Sequence, residues 1–514
     1  MFKNRTIFYS KRNHLNLIII ISVLFISGFT HLWNPVGFPS IHPDEGTYVR
    51  RSLQVASGQG PQDSEGNFDH PYFGQMFLGF FLYVIGYPQI LEPSQEPESI
   101  GMLYFVPRVF MGLLGILDTF LIYLISSKRY NQAVGISASL LFAVMPLSWI
   151  TRRVYLDSLL LPFFLSSILL AVYSLSAKEE NKKILIWFSG LLLGVAIFTK
   201  IPAFTMIPLV CYVIFSKNKH DLTSLACFFV PLFLIPLFWP GYAFLTNDFD
   251  RFLDGVLFQL DREDKPLVES FKGLFEIDPI LLSLGIMGLF YAAFRKDFIP
   301  LLWIIPFIVF FYLINFSSWF HWIPVIPLLC ISAAKLIVDL SHTIEKMFRR
   351  HRWIFKNLII IELAIFGLIS TTLLITSDVT TPMFESISFV SKFVEENEKR
   401  DNEQITIISG TGSSWILKDI FHQNNVFSNY LTGELINTEK IVLIEDNQLN
   451  EIISIDISKV EDWKVLRLIN VYNNTKSIHK IEDLSKNDHE IKIYPYSNFR
   501  FSSPGTPIDI RTNF

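Results

Sequence analysis

The hydrophobic residues of this chain come in runs too long for the helices of a soluble core. A bilayer core of about 30 Å needs roughly 20 apolar residues in one helix. Eleven runs approach or reach that length, at 15–33, 103–127, 132–150, 157–176, 184–199, 201–216, 222–245, 279–294, 298–315, 321–341 and 357–376. They predict a polytopic α-helical membrane protein with about 11 transmembrane helices. Composition agrees: 51% of residues are hydrophobic and only 18% charged, against about a quarter charged in soluble domains. The net charge of −4 gives no footing for nucleic acid. Cys211, Cys227 and Cys330 all fall in apolar runs and read as buried thiols, not a disulfide framework.

Loop charge sets the expected orientation. Lys3, Arg5, Lys11 and Arg12 precede the first run, and no small-residue cleavage motif follows it, so we expect an uncleaved span with a cytoplasmic N-terminus. The long loop 34–102 then holds eight carboxylates against only Arg50 and Arg51. Its apolar piece 72–86 is short for a span and reads as an interfacial or re-entrant helix. With that piece left out, Lys128/Arg129, Lys178/Lys182/Lys183, Lys217/Lys219, Arg295/Lys296 and the run Lys346 to Lys356 all fall on the cytoplasmic side. If 72–86 crossed the membrane, all of these clusters would lie outside. The expected domains are therefore 1–376, a transmembrane unit with the external acidic loop, and 377–514, a small extracytoplasmic α/β domain. In the latter, strand-like runs such as 405–409 and 440–445 alternate with helix-like ones. Gly410-Thr411-Gly412 follows the first strand, but it is too incomplete a phosphate-loop pattern to carry a nucleotide site.

This topology exposes polar residues that charge bias does not explain. Asp44 and Glu45 open the external loop, followed by Asp69 and His70. Arg108, the pair Arg152 and Arg153, Asp157, Lys200 and His321 all sit at external span ends. The bland readings are snorkelling to lipid headgroups and, for Pro43-Asp44-Glu45, an ordinary helix start. The functional reading is one site: cations bind an anionic lipid phosphate while Asp44 takes a proton from an incoming hydroxyl. Asp157 would orient the arginine pair or touch the sugar. The loop 247–278, with Phe249, Phe252, Leu253, Val256 and Leu257, suits a helix lying on the membrane surface over this site.

The order His42-Pro43-Asp44-Glu45-Gly46-Thr47-Tyr48, Asp69-His70-Pro71-Tyr72-Phe73-Gly74-Gln75, Pro107-Arg108, Thr151-Arg152 and Asp157 resembles one family. It looks like the GT-C glycosyltransferases of the protein O-mannosyltransferase and lipid A aminoarabinose transferase type, over about residues 10–340. The resemblance implies inverting transfer of a monosaccharide from a polyprenyl phosphate to a protein, lipid or glycan hydroxyl on the external or lumenal face. It implies Asp44, with Glu45 beside it, as the catalytic carboxylate, and His70, Arg108, Arg152, Asp157, Lys200 and His321 as substrate-binding residues, to which the charge pattern adds Asp69 and Arg153. Two departures stand out: Gln75 replaces a lysine of the family's second motif, and His321-Trp322 replaces an Arg-Tyr pair. A prokaryotic plasma membrane is favoured over the endoplasmic reticulum. No cofactor is required. Some members of the family bridge carboxylate and phosphate with a divalent cation, but the sequence gives no positive case for one. Competing readings are a secondary transporter, which would place charges at mid-membrane on paired repeats, and a non-catalytic binder of lipid-linked sugars.

Overall fold

The computed structural model describes residues 2–61, 68–216, 222–262, 264–347, 354–428, 440–454, 463–481 and 508–514. The basic residues Lys217 and Lys219, most of the run from Lys346 to Lys356, and the loop carboxylates Asp63 and Glu65 lie outside the described residues or their described side chains.

Helix α1 (Phe2–Leu32) leads into the first loop, which carries α2 (Pro43–Ala56) and α3 (Phe73–Val84) before α4 (Pro97–Arg129). There follow α5 (Gln132–Val144), a 3-10 turn (Pro146–Arg152), α6 (Leu156–Ser174), α7 (Glu179–Thr199), and a second 3-10 turn (Ile201–Met206) running into α8 (Ile207–Phe215). Next come α9 (Leu222–Leu234), α10 (Phe238–Leu245), α11 (Phe249–Leu260), α12 (Leu267–Ile277), α13 (Pro279–Phe294) and α14 (Phe298–Leu313). A third 3-10 turn (Trp319–Val325) continues into α15 (Ile326–Met347), followed by α16 (Ile354–Ile375).

Among the described residues, seven helices are long and apolar enough to cross a membrane, and two bent helix pairs raise this to nine. The difference from about eleven has a local cause. The runs 201–216 and 298–315 fold as apolar helices shorter than 18 residues. The runs 132–150 and 279–294 belong to the bent pairs, which turn by 69° and 118°. Each bend falls where a proline follows: Met145 is held extended before Pro146, and Asp278 leaves the helical region before Pro279. A proline disfavours the helical conformation of the residue before it, so the axis must break there. Helix α3 is about 18 Å long, too short to span; Gly79 packs on Ser52 and Val55 of α2, Gly74 packs against Leu156 and Thr199, and Leu78 and Leu82 are buried while Phe80 and Tyr83 stay exposed.

The bundle closes through small residues. α7 meets α9 at Gly190, where a Cβ would overlap the Phe228 carbonyl, the close backbone approach that membrane helices use for dispersion contact. After α16 comes α17 (Thr381–Asp401), which lies along α4 and ties to the residues just before it through Gln95–Glu395 and Lys392–Glu96, each 2.9 Å. A five-stranded sheet follows, of β1 (Ile405–Ile408), β2 (Val426–Phe427), β3 (Lys440–Glu445), β4 (Lys476–Ile481) and β5 (Ile508–Thr512) in the order β2-β1-β3-β5-β4. β1 runs parallel to β2 and β3, whereas β5 is antiparallel to β3 and β4. All four residues of β1 are buried, as expected of a parallel central strand covered on both faces. The short helix α18 (Thr411–Trp415) leaves β1 and packs on α2.

Candidate active site

The site grows from the N-terminus of α2. His42 is its N-cap: its Nδ1 accepts the Asp44 N–H at 3.3 Å, while Glu45 Oε1 accepts the His42 N–H at 3.0 Å. Pro43 at the first helical position completes the start signal. Asp44 projects from this end with its carboxylate 39% exposed, 3.9 Å from His42 Nδ1. Neighbouring Glu45 points the other way and is fully buried.

Glu45 and Arg108 form a two-pronged ion pair, Nη2–Oε1 2.7 Å and Nε–Oε2 2.9 Å. Glu45 also accepts the Val154 N–H at 3.1 Å, so with His42 its two oxygens hold four donors, their full capacity. Burial raises the Glu45 carboxyl, but the Arg108 charge and hydrogen bonds outweigh it and hold the group below the usual carboxylate range. Arg108 is equally occupied: Nη1 donates to the carbonyls of Pro35 (3.0 Å) and Pro39 (2.7 Å), and Nη2 to Ser40 (3.2 Å). Two expectations from the sequence are corrected here. Glu45 has no free lone pair for a reacting hydroxyl, and Arg108 has no free N–H for a phosphate; together they staple the first loop to α4.

The other expected residues fall into three groups. Asp69 pairs with buried Arg51 at 2.7 Å, and although burial raises its carboxyl, Arg51 and neighbouring cations hold it low. Lys200 and Asp157, both buried, pair at 2.5 Å, with the Lys200 ammonium 5.4 Å from the Phe320 ring centre. Arg153 lies among Trp149 and Trp319, each 5.4 Å away, and its Nη1 donates to the Tyr155 hydroxyl at 3.1 Å. Arg152 stands apart from them. It donates to the carbonyls of Trp33 and Asn34, rests 5.9 Å from the Phe38 ring, and keeps Nε and Nη1 buried without a partner among the described residues.

His70 and His321 complete the cluster. Burial pushes the His70 imidazole down to about 3, so the ring is neutral, and Asp69, Lys200 and Arg262 lie within electrostatic reach. His321 Nδ1 accepts the Ser318 N–H at 3.0 Å. The neutral ring therefore carries its proton on Nε2, close to Lys200, Arg262, His70 and Lys265.

Sequence reasoning missed four groups. Arg262 and Lys265, from the segment joining α11 and α12, reach this cluster, and among the described residues neither has a carboxylate partner. Arg262 lies 4.9 Å from the Phe316 ring and 5.5 Å from Phe258. The Lys265 backbone pairs with the 315–317 strand-like segment: its N–H donates to Asn315 and its carbonyl accepts from Ser317, both 2.9 Å. Tyr48 places its phenol near Asp44, Asp69 and Asp157, and burial with these carboxylates pushes the phenol well above its usual range, so it keeps its proton. Tyr155 stacks 4.8 Å from Phe320 and roofs His42 edge-on at 5.4 Å. The only advance signal for the first two was the amphipathic loop 247–278; α11 indeed lies over the first loop, since a Cβ on Gly255 would overlap the Phe68 carbonyl.

The donor set does not fit a resident divalent cation. Among the described residues no three His, Cys, Asp or Glu side chains converge as ligands. Asp69, Asp157 and Glu45 are each neutralised by a cation, which leaves Asp44 as a single carboxylate.

The fold is that seen in solved GT-C membrane glycosyltransferases. Residues 64–248 match the family model described as dolichyl-phosphate-mannose-protein mannosyltransferase, a stretch holding Asp69, His70, Arg108, Arg152, Asp157 and Lys200. The similar solved structures include the Archaeoglobus fulgidus oligosaccharyltransferase tethered with an acceptor peptide, at 12% identity and TM-score 0.55 over 92% of this chain and 73% of that one. ArnT from Cupriavidus metallidurans bound to undecaprenyl phosphate matches at 14% identity and TM-score 0.52, over 85% of this chain and 94% of that one. Its apo state matches at 13% identity and TM-score 0.51 over 98% of both chains. No curated protein sequence matches this chain.

Proposed function

We propose that this chain is an inverting glycosyltransferase that moves one sugar from a polyprenyl phosphate to a hydroxyl of a protein, lipid or glycan. One observation carries the reading: of the clustered carboxylates Asp44, Glu45, Asp69 and Asp157, only Asp44 has no arginine or lysine partner among the described residues. It is also the most open of the four to solvent, at 39% against 22% for Asp69. A carboxylate held by a strong cation is a poor proton acceptor, so Asp44 is the base.

In the reaction the acceptor oxygen attacks C1 of the sugar as Asp44 takes its proton. The C1–O bond to phosphate breaks, and the electron pair leaves on the polyprenyl phosphate. Arg262 and Lys265 meet the charge that develops there, with His321 Nε2–H as a neutral donor beside them. Lys200 holds Asp157 in place, Arg153 shapes the aromatic wall, and the Glu45–Arg108 pair fixes the helix that presents Asp44. The proposed topology has eleven crossings, a cytoplasmic N-terminus, and the site with the C-terminal domain outside a prokaryotic plasma membrane. The undecaprenyl phosphate and dolichol-phosphate bound by the neighbouring structures support a lipid-phosphate donor.

The test incubates membranes holding the chain with radiolabelled polyprenyl-phosphate sugars and asks which molecule becomes labelled. Asp44→Asn should lower transfer by about 10²-fold or more while lipid-phosphate binding persists. Transfer by Asp44→Asn at the wild-type rate removes Asp44 as the base.

A further inference from the structure

The segment after β1 touches the catalytic helix at its working end. The Thr411 hydroxyl donates to the Pro43 carbonyl at 2.8 Å, the residue immediately before Asp44. Gly412 offers its carbonyl to the Tyr104 hydroxyl of α4 at 2.6 Å, and that same hydroxyl accepts the Trp415 indole N–H at 2.8 Å. Tyr104 and Trp415 are essentially without solvent access, so these bonds form where water does not compete. On the facing side, α2 carries Gly46, where a Cβ would overlap the Thr411 carbonyl. The fit is thus tight over the turn of α2 that holds Asp44.

We propose that the C-terminal domain completes the active site, with Thr411, Gly412 and Trp415 positioning Asp44 through the Pro43 carbonyl and Tyr104. The inference rests on Asp44 as the base. Three surfaces fix the first turn of α2: Glu45 on Arg108 from below, the His42 cap, and the Thr411 latch from the domain outside the bundle. Nothing within α2 itself sets the last of these, because Pro43 has no N–H and its carbonyl is otherwise engaged only along the helix. Displacement of a reacting group by about 1 Å costs on the order of 10²-fold in rate, so a latch one residue from the base acts on turnover and not on donor capture. The positively charged groups assigned to the lipid phosphate, Arg262 and Lys265, belong to a different loop and are untouched.

The experiment uses full-length protein in nanodiscs with a polyprenyl-phosphate sugar as donor. Thr411→Val keeps the shape and removes the donated bond; Tyr104→Phe removes the hydroxyl that joins Gly412 to Trp415. Each should lower kcat by about tenfold with donor KM and melting temperature near wild type, and Thr411→Ser should restore kcat. Unchanged kcat in both variants overturns the proposal, as does a loss that Thr411→Ser fails to restore or that only follows the unfolded fraction. Asp44→Asn run alongside separates the two readings: if it is inactive while the latch variants are fully active, only the latch falls, and if it is active, the base assignment falls with it.

Discussion

At the residue scale, Asp44 and Glu45 are adjacent in sequence and opposite in environment. Glu45→Gln leaves the buried Arg108 without its counter-charge, and breaking a buried pair in this way costs about 3 kcal/mol or more. The expected result is a melting temperature well below wild type, whereas Asp44→Asn, at a half-exposed carboxylate without a cationic partner, should melt with wild type. A Glu45→Gln protein that melts normally yet transfers no sugar would instead make Glu45 the base. The loop histidines add a pH dependence. Burial lowers the His70 imidazole to about 3 and lowers His42 as well. Unfolded histidine binds its proton near 6.5, so below that pH the unfolded state holds more protons and stability falls as pH drops toward 3. Asp69, held low by Arg51 against its burial, adds to the same trend once pH passes below about 4. His70→Asn should flatten the slope of melting temperature against pH between 6.5 and 4, and an unaltered slope rejects the buried-neutral state of His70.

At the element scale, the segment α11–α12 acts as a cover that brings Arg262 and Lys265 to the cluster. α11 rests on the Phe68–Asp69 backbone through Gly255, and the far end is pinned by the Lys265 pairing with residues 315–317. Gly255→Ala should lift α11 and raise donor KM several-fold; Arg262→Gln should raise donor KM and also lower kcat, because it removes charge that meets the leaving phosphate. Wild-type KM in both variants would dismiss the cover as a phosphate-binding element. This element also shows what the sequence made legible. Apolar runs and loop charge placed Asp44, Asp69, His70, Lys200 and His321 on one side, because hydropathy and charge bias are local properties. They said nothing of which cation meets which carboxylate. Arg108 looked like a phosphate ligand because an arginine at a span end is an exception whether it binds substrate or staples a loop, and only the carbonyls of Pro35, Pro39 and Ser40, remote in sequence, decide between the two. Arg262 went unnoticed because it sits in a charged loop, where one more arginine breaks no pattern. The shape of the spans was legible only in part for a related reason: the axis breaks before Pro146 and Pro279 are visible as prolines, but their angles depend on what the bent halves pack against.

At the scale of the whole molecule, residues of the site come from the first loop, the ends of α6 and α7, the α11–α12 segment, the turn before α15 and, through the latch, the domain after α16. Segments so far apart in sequence can meet on one side only if the crossings between them have the parity read from the basic loops. Orientation and catalysis are therefore one question. In a variant lacking Cys211, Cys227 and Cys330, single cysteines at Ser94, in the exposed lead into α4, and at Lys476, on exposed β4, should react with a membrane-impermeant maleimide on intact cells. A cysteine at Lys178, before α7, should react only after permeabilisation. The reverse pattern would turn Asp44 and the Thr411 latch toward the cytoplasm together, because Thr411 donates directly to Pro43 and the two cannot face different compartments. A mixed pattern, with Ser94 outside and Lys476 inside, is incompatible with that bond and would break the proposed active site at the contact that joins its two halves.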